Sequence, residues 1–249
     1  MSASVVHHRE IEPSIVQVTM EDRVHKNTFS DGLCAGLMEA FKNIESNPEY
    51  RVVIVTGYDT YFCSGGTQEA LLGLSEGQGK FTDTPVYNLP LACKIPVIAA
   101  MQGHGIGGGL VFGLFADFVV FSRESVYTTN FMKYGFTPGF GSTLVLREKL
   151  GLPLAQELLM TANTYRGAEL AERGLSFPVL PRSEVLAYAY QLAKQLAEKP
   201  RHSLVTLKDH LVADLRTRLP VITALEVAMH EKTFHYPEVK QRIKNLFGR

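Results

Sequence analysis

The chain has 249 residues, 45% of them hydrophobic, with 25 basic and 25 acidic side chains and a formal net charge of zero. That length and apolar content fill a large core in one or two domains, whereas the lack of a basic stripe and of any bilayer-length apolar run excludes nucleic acid and membrane as expected partners. The polar N-terminus, MSASVVHHREIEPS, has no apolar centre of a signal peptide, and the three scattered cysteines (Cys34, Cys63, Cys93) fit neither a disulfide framework nor zinc spacing, so reduced thiols in a cytoplasmic protein are expected.

In chain order, the alternating Ser14–Met20 (SIVQVTM) predicts a strand. Ser30 caps a predicted helix running to about Asn47, with Leu33, Leu37, Ala40, Phe41 and Ile44 on one face. Val52–Thr56 (VVIVT) is a buried strand closed by Gly57, followed by YFCSGGTQE and the glycine-spaced LLGLSEGQGK. Pro85–Pro90 is expected to be a mobile loop. Pro96–Met101 and Phe118–Phe121 (FVVF) predict further strands, and Phe177–Leu180 (FPVL) a fourth of that kind. From Ser183 onward the pattern is helical, with Pro200, Pro220 and Pro237 near expected helix starts. Strands alternating with helices, then helices alone, predict an α/β fold with parallel strands and a helical C-terminal part.

The stretch QGHGIGGGLVFGLFAD, residues 102–117, admits three readings. The spacing Gly103-x-Gly105-x-x-Gly108 after a strand fits a dinucleotide fingerprint, with Glu124 as a ribose partner. Against it, the Gly109–Asp117 segment is short for a crossover to a parallel strand, and no mononucleotide half precedes it. A P-loop fails, because Phe81 follows Gly79-Lys80 where Ser or Thr is required. A second reading is tight packing of a buried helix, which accounts for one or two glycines but not easily for three at a helix start. The third is an oxyanion hole, in which free N–H groups at a helix N-terminus stabilise charge on a carbonyl oxygen. It calls for a second donor turn, and Tyr61–Gln68 (YFCSGGTQ) supplies a candidate.

These motifs, with Thr137–Thr143 (TPGFGST) and Arg23–Ser30 (RVHKNTFS), in this order and spacing, resemble the crotonase (enoyl-CoA hydratase/isomerase) superfamily from about Ser14 to Leu180. The resemblance implies a spiral of ββα units over residues 1–190, a helical region over 191–249, and trimers or dimers of trimers. It also implies a thioester substrate on coenzyme A or on the phosphopantetheine of an acyl carrier protein, with no other cofactor and no metal. Carried over by position, the oxyanion donors are the N–H groups of Gly66 and Gly108.

The hydratases of that family use two glutamates, which fall here on Val111 and Phe131, and the acidic residue that often follows their first oxyanion turn falls on Thr67. Without a base, neither hydration nor proton abstraction is supported. Decarboxylation needs an oxyanion hole and no base: carbon dioxide leaves and its electrons flow to the thioester oxygen. Val111 and Phe131 suit the apolar pocket such a step favours. Lys80 and His230 are candidate polar groups, with Tyr87 and His104 as further pocket candidates.

FCSGGTQ, GQGKFTD and MHEKTF resemble most the decarboxylases of polyketide β-branching, in which a loop lysine and a C-terminal histidine match Lys80 and His230. The resemblance implies decarboxylation of 3-methylglutaconyl on an acyl carrier protein of a polyketide synthase to a 3-methylcrotonyl-type product. Alternatives are dehydration of the 3-hydroxy-3-methylglutaryl thioester, decarboxylation of a coenzyme A thioester, and a catalytically inactive thioester-binding scaffold.

Overall fold

The computed structural model describes residues 4–83 and 85–248. Among the described residues ten strands form two sheets. The larger has the order β1 (Val6–Glu12), β2 (Ile15–Met20), β3 (Val52–Thr56), β5 (Val97–Met101), β7 (Phe118–Ser122), β10 (Val179–Leu180). All neighbours in it are parallel except the β1–β2 hairpin. The smaller sheet is β4 (Tyr61–Cys63), β6 (His104–Ile106), β8 (Val126–Thr128), β9 (Thr164–Arg166), with β9 antiparallel.

Among the described residues there are ten α-helices. They are α1 (Asp31–Ser46), α2 (Gln68–Ser75), α3 (Leu89–Ala92), α4 (Gly108–Leu114), α5 (Ser142–Leu150), α6 (Leu152–Thr161), α7 (Gly167–Glu172), α8 (Arg182–Ala197), α9 (Arg201–His230) and α10 (Pro237–Leu246). Each turn of the expected spiral is present: β3–β4–α2, β5–β6–α4, then β7–β8–α5, with one strand going to each sheet.

The runs VVIVT and VIAAM are buried along their whole length because the larger sheet is covered on both faces. One face meets α1, α4 and the smaller sheet. On the other, Val185, Ala189 and Ala193 of α8 cover Ile15, Val52, Ile54, Ile98, Ala100 and Val120. Residue 190, where the spiral was expected to end, lies inside α8. Lys208 ties α9 to this body: its buried ammonium meets Asp117 Oδ2 at 2.7 Å and donates to the carbonyls of Pro90 and Ile95, each at 3.0 Å.

Three expectations need correction. Pro85–Pro90 is helical: Pro85–Asn88 forms one short helical turn, packed through buried Val86 and Tyr87, and Pro90 belongs to α3, which follows that turn directly. Pro220 starts no helix but sits inside the 30-residue α9. The glycines of residues 103–113 are largely a packing device: a methyl on Gly109 would lie 2.1 Å from the Cys63 carbonyl oxygen, and one on Gly103 2.5 Å from the Tyr61 backbone.

Candidate active site

The pairing of β4 with β6 sets the site, because it places the turn after one beside the turn after the other. A Cβ on Gly65 would stand 2.6 Å from the Ile106 carbonyl oxygen and 3.3 Å from the Gly108 nitrogen, so the two turns touch. Gly107 caps α4 at φ 54°, a left-handed conformation, and its N–H donates to Thr128 O at 2.8 Å. Among the described residues, neither Gly66 N–H nor Gly108 N–H donates to a backbone acceptor.

Asn27 fastens the first turn. It is buried, at φ 53°, and its amide donates to the carbonyls of Met20 and Phe62, each at 3.0 Å. Its carbonyl accepts Ser64 N–H at 3.0 Å, and Phe29 N–H donates to Gly65 O at 2.7 Å. Thr67 caps α2, its hydroxyl accepting from Ala70 N–H.

A cavity of about 350 Å³ lies at the other end of the site, lined by Leu74, Lys80, Phe81, Asp83, Val227, His230, Glu231, Phe234 and His235. It brings Lys80 and His230, 150 residues apart in sequence, to one place. Lys80 is exposed, and its backbone N–H donates to Asp83 Oδ2 at 2.7 Å.

His230 lies among aromatic rings: Phe81 at 4.9 Å, Phe234 at 5.0 Å and Phe136 at 5.8 Å between centroids. Its Nε2 is buried without a hydrogen-bond partner among the described residues.

Three stacked rings join the two ends. Phe29 lies on Phe140 and Phe140 on Phe81, each pair at 5.7 Å with interplanar angles of 14° and 20°. A Cβ on Gly108 would lie 3.2 Å from Phe29 and 3.5 Å from Phe140, so the stack starts against the second glycine turn and ends on His230. Phe140 has φ 64°, a left-handed conformation that costs a non-glycine residue on the order of 1–3 kcal/mol.

Burial lowers the His230 pKa to about 4, against the pull of the Thr137 hydrogen bond and the Glu231 charge. Folding thus disfavours the imidazolium. The sign follows: the folded state binds fewer protons than the unfolded one, so stability is kept above pH 6.5 and lost as the pH falls toward 4. The loss from this one group is about 3 kcal/mol. We expect the difference in urea midpoint between pH 7 and pH 4.5 to shrink in His230→Gln; an equal acid loss in both proteins would reject this assignment.

The other expected pocket residues do not line this cavity. Val111 is fully buried inside α4. Phe131 packs on Phe136 at 6.1 Å, and its ring edge would lie 3.9 Å from a Cβ on Gly107, the residue that caps α4. Tyr87 is buried against Phe140 and Phe115 and lines a separate cavity of about 290 Å³ with Arg216 and Thr223. Burial raises its phenol pKa, helped by the Glu226 charge. His104 is committed to the sheet, its Nδ1 accepting Val126 N–H at 3.0 Å, and burial lowers its pKa.

Sequence reasoning missed Phe140, Phe81 and Glu226. The first two stood in quoted motifs without a role. Glu226 lies one turn before His230, a spacing that places both on one face of a helix and could have found it.

With this geometry in hand, comparison with known proteins is decisive. The enoyl-CoA hydratase/isomerase family model matches residues 10–247. The chain belongs to that family. It is 63% identical over 248 residues to the bacillaene synthase decarboxylase PksI of Bacillus subtilis (strain 168), covering 100% of both chains. A solved structure from a dehydratase/decarboxylase enzyme couple involved in polyketide β-branching matches with a TM-score of 0.98 at 63% identity, over 99% of this chain and 98% of that one. The ECH2 decarboxylase domain of CurF from Lyngbya majuscula matches with a TM-score of 0.95 at 50% identity, over 98% and 100%. Within the crotonase superfamily, then, this chain is a decarboxylase of the polyketide β-branching type rather than a hydratase.

Proposed function

We propose that the chain decarboxylates a 3-methylglutaconyl thioester held on the phosphopantetheine of an acyl carrier protein, giving a 3-methylcrotonyl-type product. The observation that carries this reading is the aromatic stack. It spans from the paired glycine turns to the Lys80–His230 cavity, a layout suited to a flat acyl chain with a thioester at one end and a carboxylate at the other.

In this reading the thioester oxygen receives Gly66 N–H and Gly108 N–H, and the Lys80 ammonium holds the carboxylate. The carbon–carbon bond breaks, carbon dioxide leaves, and the electron pair moves through the double bond onto the thioester oxygen. The ammonium of Lys80 then returns a proton to carbon and regains one from water. His230, neutral at pH 7, presents Nε2 as an acceptor that orients the donor. The step needs no metal and no cofactor beyond the phosphopantetheine arm. A dehydratase acting on the 3-hydroxy precursor supplies the substrate.

The assembly is a homotrimer or a dimer of trimers. Leu207, Leu211, Val221 and Leu225 support it: all are exposed, and at 100° per residue they fall on one side of α9 within an arc of about 80°. The protein works in the cytoplasm; among the described residues no helix is long and apolar enough to cross a membrane.

Intact mass spectrometry of a carrier protein loaded with 3-methylglutaconyl tests the reading. Loss of carbon dioxide with the wild type, abolished in His230→Ala, is expected, and native spectra of the same enzyme read the trimer. An unchanged mass with the carrier-bound ester, but turnover of the coenzyme A ester, would move the substrate to the free coenzyme. Inertness toward both would leave a thioester-binding scaffold.

A further inference from the structure

The carboxylate of Glu226 is 1% exposed, yet among the described residues it forms no ion pair with a cation. Its partners lie more than 80 residues away in sequence. Oε2 accepts Gly141 N–H at 2.7 Å, and Oε1 accepts Thr143 N–H at 2.9 Å and the Thr143 hydroxyl at 2.6 Å. These groups open α5, whose own N-cap, Gly141, has no side chain to do the capping. Glu226 therefore supplies from α9 both the cap and the negative charge that a helix N-terminus favours.

The residue immediately before this cap is Phe140, the strained middle ring of the stack. A left-handed phenylalanine persists only where its surroundings over-determine it. Three constraints bear on it here: the stacking of Phe29 and Phe81 on the ring, the edge-on Tyr87 ring at 5.2 Å, and the fastening of the next peptide by Glu226.

We propose that Glu226 is a positioning residue for the decarboxylation, which holds Phe140 in its left-handed conformation so that the ring bridges the glycine turns to Lys80 and His230. This rests on the function proposed above. Glu226 acts on the substrate only through Phe140, so the two residues should be coupled in turnover and not merely in stability.

A double-mutant cycle tests this. Glu226→Gln keeps the size of the side chain but turns an amide N–H₂ toward a backbone N–H. We expect kcat to fall about 100-fold, as displacement of a positioning contact by about 1 Å does, with KM changed less than about threefold. In Phe140→Leu the ring is already lost, so adding Glu226→Gln should change kcat less than about threefold. Additive losses in kcat would overturn the proposal, as would loss of stability with kcat unchanged in the folded fraction. Should Glu226→Gln fail to fold, Thr143→Val removes one bond of the cap, and its smaller kcat loss must vanish in the Phe140→Leu background in the same way. Should the wild type itself release no carbon dioxide, the proposed function fails instead. A crystal structure of Glu226→Gln then decides the positioning role: Phe140 leaving the left-handed region supports it, and an unmoved Phe140 rejects it.

Discussion

We expect Lys80→Ala to remove decarboxylation and to leave the fold as it is. Lys80 is exposed, and the hydrogen bond it gives to Asp83 comes from its backbone, which alanine retains. Surface changes of this kind stay within about 0.5 kcal/mol of wild-type stability. The ammonium, in contrast, has two tasks in the proposed reaction, holding the carboxylate and protonating carbon. A positioned proton donor contributes about 10²–10⁴-fold, so kcat should fall by at least that range, read as carbon dioxide release from the carrier-bound substrate. Lys80→Arg separates the tasks, since guanidinium keeps the charge but does not give up a proton at neutral pH. Near-complete loss in Arg as well as Ala assigns the proton to Lys80. Recovery in Arg would reduce Lys80 to a charge that holds the carboxylate. Full activity in Ala would remove it from the site.

The second large effect concerns the fold beneath the donors. Gly109→Ala should cost about 3 kcal/mol, the upper part of the range for overpacking a close-packed interior. The new methyl would meet the Cys63 carbonyl oxygen at 2.1 Å and its carbon at 2.5 Å, and backbone cannot swing aside. The strain falls on the turn that follows Cys63, which holds Gly65 and Gly66, so kcat should drop along with the melting temperature. Gly113→Ala, one turn on in the same helix, is the control. Its methyl would meet the thioether sulfur of Met101 at 2.6 Å, a flexible side chain that adjusts, and alanine favours a helix over glycine by about 1 kcal/mol. Its net cost should stay within about 1 kcal/mol. Equal thermal shifts in the two variants would show that the approach of Cys63 to α4 is not what demands glycine at 109.

Much of this was legible in the sequence, and for physical reasons. Val52–Thr56 and Val97–Met101 announced themselves because strands covered on both faces are apolar throughout. The cap of α1 was readable because Ser30 does what its side chain suits it to do, accepting Leu33 N–H. The glycine turns, Lys80 and His230 were readable because each stands in a motif. What stayed hidden lacked a local signal. Strand β1 is an edge strand whose exposed centre, His7–Glu10, shows no apolar alternation. The smaller sheet is built of three-residue strands, too short to show a period. Nothing about a phenylalanine announces a left-handed backbone, so the conformation of Phe140 appears only in three dimensions. Tyr87 and His104 were placed near the chemistry by proximity in sequence, whereas tertiary packing put one behind Phe140 and the other at the Val126 backbone.

The burial of Val111 and Phe131 bears on whether this reaction can be turned back into hydration. By the resemblance to the hydratases, their glutamates fall at these two positions, so two substitutions would look like a return route. Yet Val111 has no solvent exposure and Phe131 only 7%, and both belong to the continuous apolar core. A carboxylate there would lose its hydration without gaining a cation and would be driven to its protonated form. The departure from the hydratases is therefore more than the deletion of two acids. The space they would need has been closed by the packing of the protein itself, and reopening it means rebuilding the interior around α4 before any base could act.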